Sequence, residues 1–140
     1  MNLSRQTKVT KVIAAQTAGT ATNNGTTLDM QGFEGVMFVG GAMGTANAGN
    51  YFHVESGTDS TPSDAADLED TKVTPGDDDD AICLDVYRPQ ERYVRIVAIR
   101  GASSTLGDVY AIQYGARDEP VDNASTIDSE IHVSPDEGTI

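Results

Sequence analysis

The chain has 140 residues with 22 acidic and nine basic side chains, a formal net charge of −13, no tryptophan and a single cysteine. That length suits one ordinary domain. The charge argues against general affinity for nucleic acid or an anionic membrane surface, since both select clustered Lys and Arg, and the lone Cys83 leaves no disulfide framework or thiolate metal cluster.

The reading in chain order is an N-terminal arm (1–8), a β domain (9–117) and an extended C-terminal tail (118–140). The start, MNLSRQTKVTKVIAAQ, lacks the apolar core of a secretory leader, and no run is long enough to span a bilayer. A soluble protein made in a cytoplasm is therefore expected. Arg5, Lys8 and Lys11 make the arm and its continuation basic. Val9 to Ala15 reads as a first strand whose imperfect alternation suits a sheet edge. A Thr, Ala and Gly tract then closes in Asn24-Gly25, a strong hairpin signal, with Thr26 to Met30 as the return strand. Gly35 to Val39 is almost wholly apolar and belongs in the core.

The Gly40 to Asn50 segment is too glycine-rich to be regular, and it lacks both the spacing and the following Lys-Ser/Thr pair of a phosphate loop. Tyr51 to Glu55 alternates cleanly, Phe52 and Val54 inward and Tyr51, His53 and Glu55 outward. His53 thus reads as an outward strand residue, and no spacing ties it to His132, the other histidine. Ser63 is placed to cap one helical turn over Asp64 to Leu68. Lys72 to Thr74 is a minimal strand. The run Asp77 to Asp80 reads as a solvated turn, because adjacent side chains cannot all converge on one ion as the spaced ligands of a calcium loop do.

The stretch Ala81 to Gly115 holds the most apolar residues. Ile82 to Val86, Tyr93 to Ile99 and Val109 to Tyr114 each alternate, and Arg88-Pro89-Gln90-Glu91 reverses the chain between the first two. An antiparallel meander follows as the economical reading, with Gly101 to Gly107 as a loop and Ile82, Leu84, Val86, Val94, Ile96, Ala98 and Ile112 as its core. In the tail, Glu130 to Ser134 has the makings of one short strand that Pro135 ends. The fold class is all-β: a single-domain antiparallel β-sandwich or barrel of about eight short strands with arms at both ends.

Chemistry is sparse. Nucleophile-elbow, zinc-protease, C-x-x-C, P-loop and kinase motifs are all missing. No catalytic, cofactor-binding or metal-ligating residue is assigned, and an enzyme is the class least expected. Acidic charge is concentrated, with eleven acids against Lys72 alone from Glu55 to Asp85 and seven acids and no base from Asp118 onward.

Six segments, in order along nearly the whole chain, carry a resemblance: VTKVIAA near the start, LDMQGFEGVMFV (28–39), SDAADLEDTKVT (63–74), LDVYRPQERYVR (84–95), QYGAR (113–117) and HVSPDEGT (132–139). The chain resembles small structural proteins of tailed bacteriophages. The resemblance implies a virion component that decorates or cements the head, binds the major capsid protein and copies of itself, and uses no cofactor, nucleic acid or membrane. A trimer would suit three-fold positions of a shell. The expected contact residues are Arg5, Lys8 and Lys11 in the arm, Arg88, Gln90 and Arg92 in the turn, and Ile131, His132 and Val133 by strand addition. A neck or tail component and a head-displayed module that binds the host surface or glycans are the alternative roles.

Overall fold

The structure, a computed structural model, describes residues 2–61, 63–134 and 136–139. One helical turn, α1 (Leu3–Gln6), precedes eleven strands: β1 (Lys8–Ile13), β2 (Gln16–Gly19), β3 (Asn23–Asn24), β4 (Leu28–Asp29), β5 (Gly35–Gly40), β6 (Asn50–Gly57), β7 (Ala66–Asp67), β8 (Ile82–Tyr87), β9 (Tyr93–Arg100), β10 (Ser104–Leu106) and β11 (Val109–Tyr114). A four-stranded sheet runs β1-β11-β5-β8, and a second runs β9-β6-β7 with β3 and β4 in succession along the outer edge of β9. A short β2-β10 ribbon stands apart. All these pairings are antiparallel. The all-β sandwich expected from the sequence is the fold. Lys72 to Thr74, expected as a minimal strand, makes only an isolated bridge between Val73 and Phe52, and the four unexpected strands β2, β3, β7 and β10 are short pieces of two to four residues.

Period-two patterning explains how the two sheets meet. Val36 and Phe38 of β5, Ile82 and Leu84 of β8, and Val109 and Ala111 of β11 face Phe52 and Val54 of β6 and Val94, Ile96 and Ala98 of β9 in one buried cluster. Met43 and Leu106 close it through an isolated bridge. Phe38 and Phe52 are wholly buried, and burial of such a ring stabilises by roughly 1.5–3 kcal/mol.

Several expectations are corrected. The three strands of the central stretch do not form a meander: β8 pairs with β5 and β9 with β6, so the Arg88 to Arg92 turn is a corner between sheets. Arg88 takes a positive φ of 51° there, and its N–H bonds to the Glu34 carbonyl. Ile112 lies half-buried on the outer face, and Gln113 turns inward instead. Asn24-Gly25 is no hairpin, since β3 and β4 run the same way along β9. Gly25 serves a close approach, donating to the Ile96 carbonyl at 2.7 Å, where a Cβ would stand 2.8 Å from that oxygen. Ser63 and Asp64 form a turn without a helix; Asp64 instead accepts from the Thr58 N–H and hydroxyl. Residues 104–106, expected as loop, form β10.

At the sheet edges, β1 does carry the irregularity its sequence suggests, a register shift between Lys11 and Ile13. The tail covers its outer side. The Val121 N–H donates to the Arg5 carbonyl and the Ala124 N–H to the Val9 carbonyl, while Asn123 Oδ1 and Thr126 Oγ1 accept from the N–H groups of Val9 and Lys11. Ile131 to Val133 form no strand, with Val133 88% exposed. The outer edge of β1 is taken by residues 121–126. Pro135 lies outside the described residues. On the opposite side of the same sheet, β8 has no outer partner among the described residues.

Candidate interface at one end of the sandwich

Strand register fixes which residues share an end. Lys8 lies opposite Gln113, Tyr114 opposite Gly35, and Gly35 opposite Tyr87. The arm, the Phe33-Glu34 turn, the Tyr87 to Tyr93 corner and Gly115 to Arg117 therefore gather at one end. A groove of about 930 Å³ opens there, lined by Gln31 to Glu34, Arg88 to Arg92 and Gly115 to Arg117.

Its arginines differ in how they are held. Arg92 donates through Nε and Nη2 to the two oxygens of Asp29 at 2.9 and 2.8 Å, a bidentate fork. That hydrogen bond holds the Asp29 carboxyl below its ordinary 3.8 and raises Arg92 in turn. Lys8 adds a weaker push on Asp29 in the same direction, which places the arm's cation near the pair. Asp29 is further anchored because buried Gln113 donates from Nε2 to its backbone carbonyl. Arg88 lies over the Tyr87 ring and 3.7 Å from Glu34, both side chains half exposed or more. Arg117 is tied by its N–H to the Gly32 carbonyl, and its guanidinium makes no ion pair or hydrogen bond among the described residues.

Tyr114 borders this end. Gly35, lacking a side chain, lets the ring of Tyr114 lie across β5, so that its hydroxyl donates to Asp85 Oδ1 of β8 at 2.7 Å. Partial burial, with that carboxylate second, pushes the phenol up to about 12.

Of the residues expected at an interface, the structure brings Arg88, Gln90 and Arg92 together on the groove, with exposed Arg5 and half-buried Lys8 at the same end. Ile131 and His132 line a neighbouring hollow with Asn2, Leu3, Thr7 and Val9, so the tail meets the arm. Lys11 stands apart, 3.6 Å from Asp108 and directed toward the opposite end. Leu3, Tyr87, Ile131 and Val133 are the exposed large apolar side chains among the described residues. Sequence reasoning missed Arg117, whose only signal was its place two residues beyond a strand-ending glycine. It missed also that Asp29 and Glu34 would pair with Arg92 and Arg88.

Among the described residues no helix is long and apolar enough to cross a membrane. Comparisons of the chain with protein-family models, with curated proteins and with solved structures find no match.

Proposed function

We propose that the protein is a non-enzymatic structural component of a phage particle, decorating the outside of the head and bridging capsid subunits. One observation carries the reading. Basic and apolar residues remote in sequence, from Leu3, Arg5 and Lys8 through Arg88 and Arg92 to Arg117 and Ile131, converge on one end of an otherwise acidic body. Such an end can meet a partner surface by pairing its exposed cations and covering its apolar side chains. The acidic remainder would face solvent, and the chain's net charge of −13 favours solubility at high local concentration. Binding only the mature lattice would stabilise that lattice by mass action.

The test is attachment to purified heads lacking the protein. Arg88→Glu combined with Arg117→Glu leaves the Asp29–Arg92 fork intact, so the domain should stay folded by circular dichroism while occupancy of the heads falls at least tenfold. Unchanged occupancy excludes the groove as the attachment surface. Copy number from gel densitometry separates the roles: near one per capsid subunit supports decoration, and about a dozen per particle supports a connector ring.

A further inference from the structure

A second cluster lies far from the arginine groove, on the outer face of the sheet that contains β6 and β7. In their register Glu55 stands directly opposite Asp67, so the two carboxylates share a face. Like charges in that position are destabilising, and Arg95, opposite Glu55 on β9, offsets one of the two while Asp67 has only the His53 ring beside it among the described residues. His53, two residues before Glu55, projects from the same face, and its Nδ1 is 3.0 Å from Asp67 Oδ1. Ligand atoms of His53, Glu55 and Asp67 all lie within 4.8 Å of one another, the one such grouping among the described residues. His53 and Glu55 are rooted in partly buried positions, their side chains 15% and 16% exposed, whereas Asp67 is 71% exposed.

We propose that His53, Glu55 and Asp67 bind a divalent transition-metal ion, with zinc the best fit. One imidazole nitrogen and two carboxylate oxygens make a three-ligand set for zinc, whose bonds of about 2.0–2.2 Å need ligand atoms drawn closer than 4.8 Å, with water completing the tetrahedron. A small hollow lined by Tyr51, Leu68 and Lys72 opens beside His53 and gives that water access. The imidazole favours zinc, nickel or copper over magnesium and calcium, which select oxygen-only sets. Arg95 donates from Nε to Glu55 Oε2 at 2.6 Å, orienting the carboxylate and leaving Oε1 for the metal. The ion would replace the His53–Asp67 contact and fasten β7, only two residues long, to the long strand β6.

The experiment uses the untagged full chain, stripped of metal by chelator and dialysed. Zinc chloride is titrated calorimetrically, and cobalt chloride is followed by visible absorption. One equivalent should bind with a dissociation constant of about 10 μM or tighter, near 7 kcal/mol, and zinc should raise the melting temperature. His53→Ala and Asp67→Asn, each folded by circular dichroism, should weaken binding at least tenfold, while His132→Ala leaves it unchanged. No saturable binding up to about 1 mM zinc, equally tight binding by magnesium, or binding that survives His53→Ala overturns the proposal.

Discussion

The two ends of the sandwich use arginine in opposite ways. At the groove end, Arg88 and Arg92 sit at the surface, each facing a half-exposed carboxylate. At the other end Arg100 is 3% exposed and meets no carboxylate among the described residues; its Nε donates to the Ala21 carbonyl and its Nη1 to the carbonyls of Thr17 and Ser104. Neighbouring loops are held similarly: Asn50 is wholly buried, donating to the Thr45 carbonyl and accepting from the Ala102 N–H, and Asp78 of the aspartate run accepts from the Ala46 N–H. An exposed ion pair is weakly held and can be exchanged for a pair with another molecule. A buried guanidinium that donates to three carbonyls cannot be released without stranding those carbonyls. One end is thus suited to contact and the other to keeping the loops and the β2-β10 ribbon in place.

Arg100→Ala should give the largest effect, a loss of about 2–4 kcal/mol in urea unfolding, because three backbone carbonyls lose their donor. A loss no larger than that of a surface substitution would remove the distinction between the ends. Asp29→Asn should cost less, with a dependence on pH. The Asp29 carboxyl is held below 3.8 in the folded state by Arg92, so as pH falls the unfolded chain takes up the proton first. The melting-temperature gap between parent and variant should be complete above about pH 4 and close as pH falls through the lowered value. A gap that persists unchanged in acid would point to packing as its source. Tyr114→Phe should have the smallest effect at neutral pH. Its phenol titrates near 10 when unfolded and about 12 when folded, so the stabilisation is complete below 10 and disappears as pH rises toward 12. Alkaline unfolding followed by circular dichroism should shift between parent and variant only in that window.

Which face each strand buries was legible in the sequence, and which sheet it joins was not. Alternation in Ile82 to Val86, Tyr93 to Ile99 and Tyr51 to Glu55 assigned inward residues correctly, because the two-residue period is a local property. The same period is blind to partners, so β8 and β9 read as neighbours although β5 and β6 separately claim them. Arg88-Pro89 marks a change of direction without distinguishing a hairpin from a corner. Gly25 misled because a glycine needed for approach to Ile96 looks the same as one needed for a tight turn. Ile112 misled because Gln113, polar yet buried, takes the inner position by bonding the Asp29 carbonyl. At the candidate interface the arginines of the 88–92 turn were visible as charge, but Arg92's partner lies 63 residues away, beyond any local signal.

The strap of residues 121–126 along β1 also sets a limit on valency. A sheet with two open edges can add copies at both and grow without end, whereas one with a single open edge can only pair and stop. With β1 closed by its own chain, the four-stranded sheet offers β8 alone among the described residues. Any edge-to-edge joining of that sheet between copies then terminates at two.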